Sequence, residues 1–228
     1  MSGPSGLVVG ASSGIGLGLV QAWLDAGWRV IATVRDDRGE ATLKALPRAD
    51  RLTIERCDVA VQADIAALAA RIEGPLDGVI LNAGIIGPPD INAVSLDEAE
   101  HVHRVNALGP AKLAFALIDK VRDQTGVVAF TSSGMGSISE TSAPGYEVYR
   151  ASKAAQNMFA RTLWVGQGRA RGITVLSIDP GWVQTAMGGP GATIDVATSA
   201  SGIVQQIADQ AGSGQNRFIS WRGAARDW

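Results

Sequence analysis

Leu7-Val8-Val9-Gly10-Ala11-Ser12-Ser13-Gly14-Ile15-Gly16 is the stretch that decides the fold. Three apolar, mostly β-branched residues read as a buried strand. The amphipathic run that follows, to about Ala26, reads as a helix. Glycines between a strand and a helix permit a tight turn and the close approach of a pyrophosphate, which then meets the free N–H groups at the positive end of the helix. The spacing is G-xxx-G-x-G rather than the G-x-G-xx-G dinucleotide fingerprint. An ordinary glycine-rich turn is the plain alternative, and the strand before and helix after favour nucleotide binding.

The same alternation continues along the chain. Strands are expected at Arg29–Val34, Leu52–Glu55, Gly78–Leu81, Val127–Thr131, Ile173–Ile178 and Phe218–Ile219. Helical periodicity covers Glu40–Leu46, Ile65–Ile72, a long run over Leu96–Arg122, Glu147–Arg169 and Ile194–Ala211. Short apolar strands separated by helices predict an α/β fold: a Rossmann-like, doubly wound parallel sheet of about seven strands, covered on both faces. With 228 residues and no linker or repeat, one domain over 1–228 is expected. The Gly/Pro-rich run from Met187 to Gly191, with the helix to residue 211, is the candidate substrate loop and lid.

Composition narrows the function. Hydrophobic residues make up 46% and charged residues 18%, which suits a large core and excludes disorder. A net charge of -2 gives no support for nucleic acid or anionic membrane as a partner. Cys57 is the sole cysteine, so neither an internal disulfide nor a cysteine metal cluster can form. His101 and His103 stand two apart on a helix and face differently, so no metal is expected. No signal peptide or membrane-length apolar run is present, and a cytoplasmic protein is the expectation.

A second stretch carries chemistry. In Tyr149-Arg150-Ala151-Ser152-Lys153 the phenol and the ammonium are four residues apart and share a helical face. A neighbouring cation favours the phenolate and would lower the Tyr149 pKa towards a useful acid–base range. Ser132-Ser133 closes the fifth expected strand, where side chains of a parallel sheet meet a ligand crevice.

Taken in order, Gly10-xxx-Gly14-Ile15-Gly16, Asp58-Val59, Asn82-Ala83-Gly84, Asn106, Ser132-Ser133, Tyr149-xxx-Lys153 and Pro180-Gly181 resemble the short-chain dehydrogenases/reductases across essentially the whole chain. Met135-Gly136-Ser137-Ile138, Met187-Gly188-Gly189 and the final Trp228 are most similar to the small carbonyl-reductase branch with the C-factor and sniffer proteins. The resemblance implies a catalytic set of Asn106, Ser133, Tyr149 and Lys153, with Ser132 as the alternative serine. Ser133 would hydrogen-bond the carbonyl oxygen, Tyr149 would act as general acid, Lys153 would lower its pKa and bind the nicotinamide ribose, and Asn106 would hold a water beside the lysine. It further implies cofactor contacts from Gly10, Ser12, Ser13, Gly14, Ile15, Gly16, Asp58, Val59, Asn82, Ala83, Gly84, Tyr149, Lys153, Pro180, Gly181, Val183 and Thr185. One departure concerns the glycine loop: Val9 stands where the family carries a threonine whose hydroxyl ties that loop down.

At the end of the second strand, Val34 occupies the place of the aspartate that would bind the ribose of NAD, and Arg35 follows. Arginine suits the 2′-phosphate of NADP, so NADP(H) is favoured, with NAD(H) possible if Asp36 or Asp37 takes the ribose. Tyr146 and Trp182 are candidate substrate contacts beside Ser133. Trp23, Trp28 and Trp164 are expected in the core or against a partner. The expected activity is hydride transfer between nicotinamide and an aldehyde, ketone or alcohol, in a homodimer or homotetramer. A cofactor-binding signalling protein with little turnover is the first rival, and a nucleotide-sugar epimerase the second.

Overall fold

In the computed structural model, residues 3–228 are described. Seven strands form one wholly parallel sheet: β1 (Ser5–Val9), β2 (Arg29–Val34), β3 (Leu52–Arg56), β4 (Gly78–Leu81), β5 (Val127–Thr131), β6 (Thr174–Asp179) and β7 (Asn216–Ser220), in the order β3-β2-β1-β4-β5-β6-β7. The order reverses between β1 and β4, so the connections leaving these two strands diverge and open a crevice at their carboxyl ends.

Both faces of the sheet are buried, which is why the strands read as continuous apolar runs. Leu7, Val9, Val79, Leu81, Val128, Phe130 and Val175 pack with α3 (Gln62–Arg71), α5 (Gly109–Leu117) and α6 (Glu147–Leu163). The alternate residues Val8, Val30, Ala32, Ile80, Ala129 and Leu176 pack with α1 (Gly14–Asp25), α2 (Asp37–Lys44) and α7 (Val196–Gln210). Trp23 of α1 is fully buried and stacks on Trp28, ring centroids 4.6 Å apart. Gly6 and Gly78 make room for it: a Cβ at either position would lie 2.6 or 3.0 Å from the indole.

The expected long helix over Leu96–Arg122 is four pieces. The helix α4 (Leu96–His103) begins at a Ser95/Glu98 capping box, Arg104–Leu108 forms one π-helical turn, and α5 continues to Leu117 before a short 3₁₀ turn. Likewise α6 stops at Leu163, and a π turn and a 3₁₀ turn carry the chain to Gly172, whose φ of 67° closes it. Smooth helical periodicity cannot separate a π turn from the α-helix around it. None of the described helices is long and apolar enough to cross a membrane.

Gly6→Ala should cost about 1–3 kcal/mol through overpacking against Trp23. The check is the denaturant midpoint; an unchanged midpoint would show that the indole yields freely.

Candidate active site

The carboxyl ends of the strands open onto a cleft of about 550 Å³. At one end lies the glycine loop. Gly10 (φ 83°) and Gly14 (φ 53°) take left-handed conformations that favour glycine, and a Cβ on Gly16 would sit 2.1 Å from the Gly10 carbonyl oxygen. Ser13 is the N-cap of α1, yet its side chain makes no capping bond and the first turn holds no acidic residue. That leaves a hydroxyl and helix N–H groups suited to phosphate. Gly10, Ser12, Ser13, Gly14 and Ile15 line the cleft, whereas Gly16 acts from behind as the close-packing position.

The threonine missing at position 9 is replaced from another strand. Thr33 Oγ1 accepts from Gly10 N at 3.0 Å, its carbonyl accepts from Ala11 N at 2.9 Å, and Asn82 Nδ2 donates to the Gly10 carbonyl at 2.9 Å. Sequence reasoning missed Thr33; its place on β2, two residues before Arg35, was the available signal. Asn82 is thereby a loop anchor, while Ala83 and Gly84 continue the wall.

Just beyond β2, Arg35 is exposed, lines the cleft and has no ion-pair partner among the described residues. The competing carboxylates are engaged. Asp36 caps α2 by accepting from Gly39 N at 2.8 Å, and Asp37 pairs with Arg56, which also holds Glu40 at 2.8 Å. Asp58 lines the cleft with Val59 and accepts from Ala60 N at 2.8 Å. Cys57 also lines it, its thiol pushed up to about 11 by burial.

The other end is built on α6. Tyr149, Ser152, Lys153, Gln156, Asn157, Ala160 and Leu163 form its buried stripe: apolar at the far end and polar where the helix passes the end of β5. Lys153 Nζ donates to the Thr131 carbonyl at 2.7 Å and to Gln156 Oε1 at 3.4 Å. A Cβ on Gly136 would come within 2.7 Å of Lys153 Cβ, so the glycine lets the loop after β5 close over the lysine stem.

Burial sets both ionisations. Lys153 falls to about 7 through loss of solvation. Tyr149 rises to about 12, chiefly by burial, with the Asp179 carboxylate adding to the rise and the Ser133 hydroxyl opposing it. The lowering of Tyr149 by Lys153 expected from their spacing does not prevail. The ammonium sits 5.8 Å from the phenol ring centroid and spends its hydrogen bonds on Thr131 and Gln156. As it stands, the Tyr149 phenol is protonated at neutral pH.

Asn106 is fully buried in the π turn. Its side chain accepts from Ile85 N at 2.8 Å and donates to the Ile85 carbonyl at 2.8 Å and to Ser152 Oγ at 3.0 Å. The widened turn also presents the Asn106 carbonyl, which accepts from Gln156 Nε2 at 2.7 Å. The Gln156 carboxamide links Asn106 to Lys153, accepting from Lys153 Nζ at 3.4 Å and donating to the Asn106 carbonyl at 2.7 Å. Sequence reasoning passed over Gln156, although it falls one turn after Lys153 on the buried face.

The two serines are placed differently, and of the pair it is Ser132 that lines the cleft. Ser132 Oγ donates to Asn157 Oδ1 at 2.7 Å in the core, while half-buried Ser133 caps the following 3₁₀ turn and interacts with Tyr149. On the far wall, Pro180 and Thr185 face the cleft together with Gln184 and Ala186, which were not anticipated, and with Met187 at the start of the candidate substrate loop. Gly181 and Val183 stand behind that wall, Gly181 at φ 78° against Ile194 and Trp221, and Val183 paired with Ile194. The Thr185 hydroxyl is used within the loop, donating to the Val183 carbonyl at 3.3 Å and accepting from Gly188 N at 3.1 Å. Tyr146 and Trp182 lie outside the cleft walls. Tyr146 N-caps α6 with φ 58°, and Trp182, 57% exposed, donates to the Gly188 carbonyl at 2.8 Å.

A family model described as short chain dehydrogenase matches residues 6–193. Among curated proteins, the C-signal of Myxococcus xanthus is 34% identical over 157 residues, 68% of this chain and 94% of its own length. Among solved structures, a carbonyl reductase from Pseudomonas aeruginosa PAO1 in complex with NADP is 36% identical, with a TM-score of 0.87 and 99% of each chain covered. The carbonyl reductase Sniffer of D. melanogaster is 30% identical, with a TM-score of 0.89 over 98% of this chain and 99% of its own.

The buried cation predicts a pH signature in the cofactor-free protein. Because the folded state holds Lys153 near 7 against an ordinary 10.5, the unfolded chain binds more protons between those values. The contribution of Lys153 to stability therefore rises with pH across that window and is lost as pH falls through 7. Unfolding free energies of wild type and Lys153→Met, measured from pH 7 to 10, should diverge in favour of wild type; parallel curves would contradict a depressed lysine.

Proposed function

The chain belongs to the short-chain dehydrogenase family, and we propose that it is an NADP(H)-dependent reductase of aldehydes or ketones, with Tyr149 as general acid. The observation that carries this reading is the placement of Tyr149 and Lys153 one helical turn apart, both facing a cleft that begins at the glycine loop. The NADP-bound relative supports the cofactor choice, as does an Arg35 free of internal partners beside carboxylates that are already paired.

The cradle fits a dinucleotide phosphate. The first turn of α1, with Ser12 and Ser13, would hold the pyrophosphate, and Arg35 the 2′-phosphate. Asp58 and Val59 would flank the adenine, Lys153 would bond the nicotinamide ribose, and Pro180 and Thr185 would border the nicotinamide. When bound, the cofactor supplies the hydride.

The protein's own residues then manage the oxygen of the carbonyl. Ser133 donates a hydrogen bond to it and stabilises the negative charge that develops there. Tyr149, protonated because burial holds its phenol up to about 12, transfers its proton to that oxygen. Such general acid catalysis is typically worth ~10²–10⁴ in rate. Lys153 holds positive charge beside the phenolate that remains. Gln156 and Asn106 keep the ammonium and the π turn in register.

The segment 187–211 is assigned as the substrate-side loop and helix. Its pivot is Gly189, at φ 70° with nothing within 4 Å of a notional Cβ. Tyr146 and Trp182 remain candidate substrate contacts, although neither lines the cleft. A homo-oligomer paired through α5 and α6 is supported by the exposed Leu108, Phe115, Met158 and Val165.

Wild type should oxidise NADPH against a panel of aldehydes and ketones, and Tyr149→Phe should lose at least ~10² in kcat/KM; equal rates in the two proteins would remove Tyr149 from the chemistry. Tight NADPH binding by wild type without turnover on any carbonyl would favour the signalling reading instead. Arg35→Ala should weaken NADPH binding by more than tenfold while leaving NADH affinity within twofold, measured by fluorescence titration. An unchanged NADPH:NADH ratio would overturn the assignment of Arg35.

A further inference from the structure

After β7 the chain turns at Trp221–Gly223 and runs back beside the strand. Ser220 N donates to the Ala224 carbonyl at 2.8 Å, Ile219 and Ala225 form an antiparallel bridge, and Arg226 N donates to the Phe218 carbonyl at 2.9 Å. This brings Arg226 between two loops at the carboxyl ends of strands. Its guanidinium pairs with Glu140, seven residues beyond Ser133, and at 2.5 Å with Asp179, the last residue of β6. Gly134, next to Ser133, lies flat beneath it: a Cβ there would be 2.9 Å from the guanidinium carbon.

The neighbouring residues reinforce the bridge. Glu140 also accepts from Asp227 N at 3.0 Å. The main-chain oxygen of Trp228 accepts from both Ser139 N at 3.3 Å and Ser139 Oγ at 2.9 Å, while the Trp228 ring packs on Phe218, centroids 5.5 Å apart. Within its own loop, the Ser133 hydroxyl has only Met135 N to fix it, at 3.1 Å.

We propose that residues 225–228 are a strap that holds the Ser133 loop in its working position, with Arg226 as the positioning residue that ties this loop to the end of β6. The proposal rests on the assignment of Ser133 to catalysis. A second effect follows from charge. Asp179 is almost fully buried and adds to the rise of the Tyr149 pKa, so the guanidinium beside it offsets a negative charge that would otherwise act unopposed on the phenol. Arg226 thus serves both the residue that receives the carbonyl oxygen and the residue that protonates it, without touching either substrate or cofactor.

Two readouts test this. In the cofactor-free protein, backbone amide exchange across residues 135–140 should quicken at least tenfold in Arg226→Ala, with the sheet unaffected. In turnover, Arg226→Ala should lower kcat tenfold or more while NADPH affinity stays within twofold, and Arg226→Lys should recover part of the loss. The kcat loss should be smaller in a Ser133→Ala background, leaving only the part that acts through Asp179 on Tyr149, because residues acting as one unit are not additive. Glu140→Gln cuts the loop link alone and leaves Asp179 paired; it should reproduce the exchange change even if Arg226→Ala does not fold. Unchanged exchange in both variants, or kcat losses that multiply in the double variant, would overturn the strap. A wild type that reduces no carbonyl would refute the proposed function while leaving the exchange result to decide the strap.

Discussion

A lysine ammonium kept out of water is the constraint around which the upper half of the molecule is arranged. Desolvating a cation is costly unless hydrogen bonds replace its water, and Lys153 finds them in the Thr131 carbonyl and Gln156. Each neighbour has a structural consequence. The Thr131 carbonyl is the end of β5. Gly136 must lack a side chain so that its loop can close on the lysine stem. Gln156 needs the Asn106 carbonyl as its own partner, and that carbonyl is turned towards it by the π turn. The break in the expected long helix is therefore linked through Gln156 to a buried cation on another helix.

The same burial inverts the simple electrostatic expectation for Tyr149. Spacing on a helix says which side chains are neighbours, not which force between them dominates. Four residues separate the phenol and the ammonium, but the dry environment outweighs their attraction, raising one group and lowering the other. A protonated tyrosine beside an easily neutralised lysine suits proton donation to a reduced carbonyl. In the proposed reductase the reverse reaction would require the phenol to give up its proton first, so alkaline conditions would favour alcohol oxidation.

Most of the architecture was legible because period and punctuation agree. The bounds of β2, β4 and β5 match their apolar runs, and the glycine loop sits where a strand gives way to a helix. The site was legible wherever a residue type is rare in its setting: a phenol and an ammonium on one helix face, a serine pair closing a strand, an arginine after the second strand. What sequence did not convey was partnership across the fold. Thr33 reaches a glycine in the loop after the neighbouring strand, Gln156 reaches a π turn about fifty residues earlier, and Arg226 reaches a loop some ninety residues earlier. Such pairings are fixed by the packing of helices on the sheet and leave no local periodic trace. Gly181 and Val183 illustrate the converse, since both fall within a motif next to the cleft yet serve to build its wall from behind.

The anchoring of the glycine loop by Thr33 has a practical corollary for protein engineering. The hydroxyl that steadies Gly10 belongs to β2, two residues before the arginine proposed to read the adenosine end. Phosphate cradle and nucleotide discrimination are thus mounted on one short piece of backbone. Redesigning the end of β2 to exchange one nicotinamide cofactor for the other would disturb the seat of the pyrophosphate as well. A selectivity switch in this protein has to keep Thr33 and its backbone geometry fixed, and move its substitutions outward to Arg35 and the residues after it.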